Sequence, residues 1–420
     1  MKVFEYIIFK GGGCMDDYHY YYYKNLRKGE KIKMKNLEFI KKIAVDIISE
    51  EELMKKLSEN RKLIIKLGAD PSRPDLHLGH TVVLRALKHF QEMGHDVVFV
   101  IGDFTGMIGD PSGRNKTRPA LTKEQTRESG KSYFKQVTKI LDKNKTKIMY
   151  NSEWLTKMNF NDVIDIASKY TIAQLLERDD FKNRYQNNLP ISVHELLYPL
   201  IQGYDSVQLK ADIEIGGTDQ TFNLLVGREL QKAYGQEKQV VITFPLLVGL
   251  DGKEKMSKSL DNYIGIDESP EIIYEKCMKI PDNCLLEYFV LTTDIEEEKA
   301  KKFMAEDIVE AHRIYAREII KMYHGEEFVL DAENRYNAIS NGLIPDNIDV
   351  INISKENPKI NITDLLVSLN FVNSKSEAKR MISQRAVKIN DNVITDINYV
   401  LDLKNEIILK YGKNKVIKII

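Results

Sequence analysis

The chain has 420 residues, 43% of them apolar, with Lys+Arg and Asp+Glu equal at 62 each. That length exceeds one ordinary core and suits two or three domains, one of them large. The balance of charge excludes a global field drawing the whole chain to nucleic acid or a membrane.

Three cysteines, Cys14, Cys277 and Cys284, cannot all pair and show no CxxC spacing, which argues against a disulfide framework or a zinc site and for a reducing cytoplasm. No apolar run approaches the roughly 18 residues that span a bilayer. Residues 3–9 are too short, and interrupted by Glu5, to form a signal-peptide core.

Residues 1–35 are expected to form a disordered extension. Gly11-Gly-Gly13 and Tyr18-His-Tyr-Tyr-Tyr-Tyr23 follow neither a helical nor a strand period, and the Lys-rich stretch to Lys35 reads as solvated. Lys10-Gly-Gly12 is also how a purine-rich ribosome-binding site translates, which leaves Met15 and Met34 as alternative starts.

From Asn36 the pattern becomes regular. Helical spacing through 36–40 and 51–57 gives way to the strand-like run Leu63-Ile-Ile-Lys-Leu67, which ends at Gly68. A turn rich in Asp, Pro and Ser fills 70–75, and apolar residues then recur at helical spacing over 78–93. Gly94 ends that helix, and Asp96-Val-Val-Phe-Val-Ile101 is the next buried strand. This β-α-β order predicts a right-handed crossover and a parallel sheet. Further strands are expected at 147–150, 213–215 and 240–243. The fold class is therefore α/β, a Rossmann-like doubly wound parallel sheet with its ligand crevice at the strands' carboxyl ends.

Two motifs stand out against that frame. His77 and His80, three apart at a helix start, point to one side of the crevice beside unpaired N–H groups and the positive end of a helix dipole. An anion such as a polyphosphate fits there without a metal. A metal pair or ordinary capping imidazoles are the plainer readings, although zinc needs further ligands that no Cys/His cluster offers. Asp251-Gly-Lys-Glu-Lys-Met-Ser-Lys-Ser259 follows the last expected strand, with Gly249 and Gly252 as hinges. Lys255 and Lys258 there can close over a phosphate chain, or the loop is simply solvated. Spacings of four and three in Tyr198-x-x-x-Gln202-x-x-Asp205 put three polar groups on one helical face. They line a pocket wall or form a structural network.

Downstream, 271–325 is helix-rich, with 305–319 strongly periodic, and 345–358, rich in Asn, Asp and Pro, reads as a linker. From Ser354 to the end, twelve Lys/Arg face seven Asp/Glu. A basic appendage on a more acidic body points toward a polyanion.

Asp70-Pro-Ser-Arg-Pro-Asp-Leu-His-Leu-Gly-His80 and Lys255-Met-Ser-Lys-Ser259 resemble the two hallmark motifs of class I aminoacyl-tRNA synthetases. Thr105-Gly-Met-Ile-Gly-Asp-Pro-Ser-Gly-Arg114, Tyr198-Pro-Leu-Ile-Gln-Gly-Tyr-Asp205 and Gly216-Gly-Thr-Asp-Gln220 narrow the resemblance to the bacterial-type tyrosyl enzymes, from about Asn36 to the C-terminus. The resemblance implies a catalytic domain over 36–262, an α-helical anticodon-recognition domain over 263–344, the linker at 345–358, and a small α+β RNA-binding domain of ribosomal-protein type over 359–420.

It also implies a reaction and its residues. Tyrosine is activated by ATP to tyrosyl adenylate and passed to the 3′ end of its tRNA. His77, His80, Lys255 and Lys258 would act at the adenylation centre. Asp70, Gly79, Arg114, Arg118, Gly216, Asp219, Met256, Ser257 and Ser259 would bind ATP, with the two arginines in a solvated loop as the alternative. Asp110, Tyr198, Gln202 and Gln220 would hold the amino acid's ammonium and carboxylate, and Asp205 would accept the phenolic proton. Lys375, Lys379, Arg380, Arg385 and Lys388 would meet tRNA phosphates, unless they form only a solvated helix face. ATP with magnesium is expected as substrate, without a tightly bound cofactor or a protein-held metal, in a cytoplasmic homodimer that does not engage membranes.

One departure bears on the substrate. Many members of the family place a tyrosine four residues before the Asp of the Asp-Pro segment, where it helps bind the phenol; here that position is Lys66. Two rival readings remain, a tryptophan-type or other nucleotidyl-transferring synthetase and an RNA-binding paralogue without catalysis. Tyr198, Gln202 and Asp205 argue against the first, and two complete phosphate motifs against the second.

Overall fold

The computed structural model describes residues 28–70, 76–110, 130, 132–341, 343, 349–351, 359–403, 406–412 and 415–420. Arg114 and Arg118, singled out above, lie outside the described residues, as does 1–27. The chain divides into two compact units. One runs to Glu268 and takes in Lys279–His312; the other comprises Ser269–Met278 and Arg313–Ile420.

In the first unit, strands β1 (Asp46–Ile48), β2 (Ile64–Ala69), β3 (Asp96–Ile101), β4 (Thr146–Tyr150), β5 (Ile213–Gly217) and β6 (Val240–Phe244) form one sheet in the order β1-β6-β5-β2-β3-β4. The strands from β6 to β4 are parallel, and the edge strand β1 runs antiparallel to β6. Residues 97–101 of β3 and all of β6 are buried, as strands covered on both faces must be. From β2 the chain first builds β3 and β4 on one side, then β5 and β6 on the other. The direction of winding therefore reverses between β2 and β5, where a doubly wound sheet opens its crevice.

Helix α1 (Lys28–Ile43) corrects the expectation of a disordered segment up to residue 35. Met34, Leu37, Ile40 and Ile43 recur every third residue and are all buried, while Lys33 and Lys35 face solvent. That narrow apolar stripe begins only at Met34, so the lysines before it conceal the helix. Helix α2 (Leu78–Glu92) buries Leu78, Val82, Ala86, Leu87 and Phe90 in the sheet unit's core, the four larger side chains worth about 1.5–3 kcal/mol each. It stops at Gly94, whose φ of 94° lies in the left-handed region. Helices α3 (Val193–Leu209) and α4 (Thr221–Ala233) pack through Leu200, Val207, Val226 and Leu230.

The division between units passes through the stretch expected as one helical domain. Helix α5 (Pro270–Cys277) belongs to the second unit, whereas α6 (Asp282–Thr292) belongs to the sheet unit. The buried Arg85 of α2 explains the latter: it donates to Thr293 O and Asp294 Oδ1, both at 2.7 Å, just beyond the end of α6. In the second unit, Tyr274 of α5 meets Tyr336 of α7 (Val329–Ser340), ring centroids 5.3 Å apart.

The C-terminal part of the second unit is α+β. Strands β7 (Asp349–Ile351), β9 (Val387–Ile389), β10 (Asn392–Val393), β12 (Ile407–Tyr411) and β13 (Lys415–Ile419) form a sheet ordered β10-β9-β12-β13-β7, while β8 (Lys359–Asn361) pairs with β11 (Val400–Asp402). Leu365, Leu366, Ile382, Val387, Leu409 and Ile417 join its core. The stretch 345–358 is thus more than a linker, because β7 within it pairs in parallel with β13. Three residues are too few for a period-two pattern to show.

Candidate active site

At the reversal between β2 and β5 lies a cavity of about 570 Å³. The end of β2 supplies Asp70, and the start of α2 supplies His77, Gly79 and His80. Helix α3 contributes Tyr198, Gln202 and Asp205; β5 and the turn after it contribute Gly216, Asp219 and Gln220. Asp110 enters from the loop beyond β3, and Lys255 to Ser259 close the remaining side. These residues come from six places in the chain and share one enclosure because the sheet's parallel strands end on that side.

At one end, a continuous polar network surrounds Asp205. Tyr198 donates its hydroxyl to Asp70 Oδ2 at 2.8 Å, and Thr105 donates to Asp70 Oδ1 at 2.7 Å. Asn151 Nδ2 reaches both Thr105 Oγ1 at 3.1 Å and Asp205 Oδ2 at 3.3 Å. Trp154, the chain's single tryptophan, donates its indole N–H to Asp205 Oδ1 at 2.8 Å. Asp103 fixes the turn bearing Asn151 and Trp154 by accepting from the amide and hydroxyl of Ser152. Burial pushes the Asp205 carboxyl up to about 7, opposed by the Lys66 ammonium and by the Trp154 and Asn151 donors, with the Glu214 charge adding to the rise.

Lys66 lies below this network, fully buried. Its ammonium meets Glu214 Oε1 and Ser206 Oγ at 2.8 Å each and the Gln202 carbonyl at 3.1 Å. Ser206 and Gln202 accept hydrogen bonds from it, and Glu214 stands beside it as an ion pair. Lys66 and Glu214 are register partners on β2 and β5, so the pair bridges the two strands that flank the crevice.

A second cluster lies around Asp110. Gln220 Nε2 donates to Asp110 Oδ2 at 3.1 Å, and the Arg178 guanidinium stands 3.5 Å from Asp110 Oδ1. Asn223 ties the group together, donating to Gln202 Oε1 and Gln220 Oε1 while accepting from Arg178.

At the phosphate-motif side, the His77 and His80 rings lie with centroids 3.9 Å apart and planes tilted by 45°, and the His77 amide donates to His80 Nδ1 at 3.2 Å. Burial pushes both imidazoles down, His80 to about 4 and His77 further still, with the Lys258 and Lys255 charges adding to the effect. Both rings are therefore neutral at pH 7, and cationic charge at this end comes from the lysines. Lys255 pairs with Asp219 Oδ2 at 2.7 Å, and Lys258 lies over the Tyr263 ring at 5.3 Å. The two motifs are joined by backbone: Leu78 N donates to Ile264 O and Ile266 N to Leu76 O. Asn262 accepts from Ser257 N and donates to Asp251 and to the Lys255 carbonyl, so the lysine loop folds on its own base.

Glycine is required at one point nearby. A Cβ on Gly102 would lie 2.0 Å from Asp70 Oδ1 and 2.2 Å from Thr105 Oγ1, inside their hydrogen bond.

The five basic candidates of the second unit, Lys375, Lys379, Arg380, Arg385 and Lys388, are all exposed. The first three lie on helix α8 (Lys375–Ser383), Arg385 in the turn after it, and Lys388 on β9. Lys375 pairs with Asp364, and Arg380 stands 3.6 Å from Glu377.

Sequence reasoning missed Asn151, Trp154, Thr105, Arg178, Asn223 and Glu214. Two of them carried a signal. A lone tryptophan in Asn151-Ser-Glu-Trp154 and a carboxylate inside the apolar strand Ile213-Glu-Ile215 are both unusual enough to flag.

Comparison with known proteins extends the picture along the chain. A family model described as tRNA synthetases class I (W and Y) matches residues 58–341, and one described as the tyrosine--tRNA ligase SYY-like C-terminal domain matches 342–417. The chain is 49% identical over 402 residues to tyrosine--tRNA ligase 2 of Clostridium acetobutylicum, covering 92% of this chain and 100% of that protein. It is 49% identical over 390 residues to the tyrosine--tRNA ligase of Thermotoga maritima, covering 91% and 96%. In structure it is similar to the Archaeoglobus fulgidus tyrosyl-tRNA synthetase solved with L-tyrosine. The TM-score is 0.60 at 24% identity, over 71% of this chain and 99% of that one, a likeness of fold.

Proposed function

The chain belongs to the tyrosine--tRNA ligases of the class I synthetases, and we propose that one cavity at the β2–β5 reversal carries out both of its half-reactions. ATP and tyrosine are the substrates of the first half-reaction. The tyrosine carboxylate attacks the α-phosphorus, the bond to the bridging oxygen breaks, and pyrophosphate leaves. In the second half-reaction a hydroxyl of the terminal tRNA ribose takes the tyrosyl group and AMP departs. Neither step needs a nucleophilic side chain. Positioning and stabilisation of moving charge supply the acceleration.

The phosphate end suits ATP. His77 and His80, neutral at pH 7, donate N–H groups to phosphate oxygens as the geometry at phosphorus changes. Lys255 and Lys258 carry the positive charge and follow it onto the leaving pyrophosphate. Asp219, now paired with Lys255, is released when Lys255 turns to the phosphates, and then takes the ribose hydroxyls beside Gly216. Asp70, Gly79, Met256, Ser257 and Ser259 complete the nucleotide's surroundings, with Arg114 and Arg118 assigned from motif position alone. Magnesium would arrive with ATP. Mg²⁺ is usually held by one or two carboxylates plus substrate phosphates, and among the described residues no group of three His, Cys, Asp or Glu could hold a metal.

The other end suits tyrosine. Asp110, Tyr198, Gln202 and Gln220 hold its ammonium and carboxylate, and Asp205 accepts the phenolic proton. Phenylalanine would leave Asp205 buried without that partner, a loss of about 1–3 kcal/mol and more when the group is charged. The carrying observation is the buried Asp205 on α3, held by Trp154 and Asn151 within the cavity that also receives both phosphate motifs.

For tRNA, the exposed Lys375, Lys379, Arg380, Arg385 and Lys388 offer phosphate contacts, which a linear fall of log affinity with log salt would check. The exposed Phe160, Ile164, Ile172, Tyr185, Leu189 and Val193 suit an interface between two copies. Sedimentation as a monomer at micromolar concentration would refute that homodimer. The bacterial relatives support work in the cytoplasm, and no described helix is long and apolar enough to cross a membrane.

Pyrophosphate exchange into ATP, run against a panel of amino acids without tRNA, tests the assignment. Exchange dependent on tyrosine is expected. Exchange driven by tryptophan, or none at all, would overturn it.

A further inference from the structure

We infer that Lys66 is a positioning and specificity residue for tyrosine, clamping to the sheet the helix that presents Tyr198, Gln202 and Asp205. The inference rests on the assignment of Asp205 to the phenol.

Two stripes, one on strand β2 and one on helix α3, match in length. Lys66 and Gly68 share one face of β2 because strand side chains alternate, and Asp70 follows the strand's last residue. Tyr198, Gln202 and Ser206 share one stripe of α3, four residues apart. From Lys66 to Asp70 the strand advances about 13 Å, and from Ser206 to Tyr198 the helix covers about 12 Å. The stripes run in opposite directions and are fastened at both ends. Asp70 accepts from Tyr198 at one end, and Lys66 donates to Ser206 Oγ and the Gln202 carbonyl at the other. Asp205 precedes Ser206, so the second fastening sets the position and rotation of its carboxylate.

Charge points the same way. Glu214 neutralises Lys66 from the register-paired position on β5, so this buried ammonium is paired and hydrogen-bonded as burial requires. Around Asp205, Lys66 on β2 favours the carboxylate, as do Trp154 and Asn151 beyond β4, while Glu214 on β5 opposes it. Lys66 thus supplies charge that keeps Asp205 a strong acceptor.

The test uses the full chain, pyrophosphate exchange with tyrosine and with phenylalanine, and a pH series from 6 to 9. Lys66→Met should raise the KM for tyrosine ten- to a hundredfold, leave the KM for ATP within about threefold, and lower the preference for tyrosine over phenylalanine at least tenfold. The pH at which the tyrosine KM begins to climb should move upward. Lys66→Met with Glu214→Gln avoids an orphaned carboxylate and keeps the test open if the single variant fails to fold. It should move that pH in the same direction by less. A lower kcat with the tyrosine KM, the preference and the pH midpoint all unchanged in the variants would reduce Lys66 to a scaffold residue and overturn the inference. Wild-type protein without tyrosine-dependent exchange, or Asp205→Asn with an unaltered tyrosine KM, would instead strike the active-site reading beneath it.

Discussion

Replacing Asp205 by Asn removes one charge and almost no volume, and its consequence for stability is opposite to its consequence for binding. The folded-state carboxyl, at about 7, lies above its ordinary 3.8, so between those values the folded protein holds a proton that the unfolded chain has released. Stability from this group is therefore fully present below about pH 4 and lost as pH rises to 7, after which the loss is constant. The interval from 3.8 to about 7, at roughly 1.4 kcal/mol per pH unit, amounts to about 4 kcal/mol. Asparagine escapes that penalty but turns an amide N–H toward either Trp154 or Asn151, both donors, at a cost of about 1–3 kcal/mol. The substrate-free variant should thus gain on wild type by about 1–3 kcal/mol at pH 8 and lose to it at pH 4. Denaturation followed by Trp154 fluorescence at pH 4, 5, 6, 7 and 8 reads this at the site itself, since Trp154 is the chain's one tryptophan and touches Asp205. The same variant should bind tyrosine far worse and ATP almost normally. A stability difference that stays flat across that pH range would refute the reasoning.

Two other substitutions separate structure from chemistry. Gly102→Ala forces a methyl into the Asp70–Thr105 hydrogen bond and should destabilise the sheet unit by about 1–3 kcal/mol, seen as a lower thermal midpoint together with a raised tyrosine KM. An unchanged midpoint would mean the loop accommodates the methyl. Lys255→Met removes a half-exposed ion pair, so its thermal midpoint should stay at the wild-type value while exchange slows about 10²–10³-fold. Equal exchange rates would remove Lys255 from the reaction.

Legibility followed the scale of the signal. Helix α2 and strand β3 were plain because Gly94 separates a helical period from a fully apolar run. Motif residues such as His77, Tyr198, Asp219 and Lys255 are gathered in one cavity because parallel strands bring distant loops to one edge. Short or one-sided elements were not legible. The apolar stripe of α1 starts behind a run of lysines, and β7 has three residues whose partners on β13 lie 68 positions away. The Lys66–Glu214 bridge was illegible for a different reason: each residue alone is a charge interrupting an apolar strand, and only register makes them partners. Trp154 is similar, an aromatic whose value as a donor depends on what its indole faces.

The most direct measurement is rapid quenching of the purified protein with ATP labelled at the α-phosphate, tyrosine and no tRNA, followed by addition of tRNA(Tyr). A bound tyrosyl adenylate should appear only with tyrosine and be discharged as AMP when the tRNA arrives. Label reaching AMP without tyrosine, or an adenylate formed equally from phenylalanine, would contradict it.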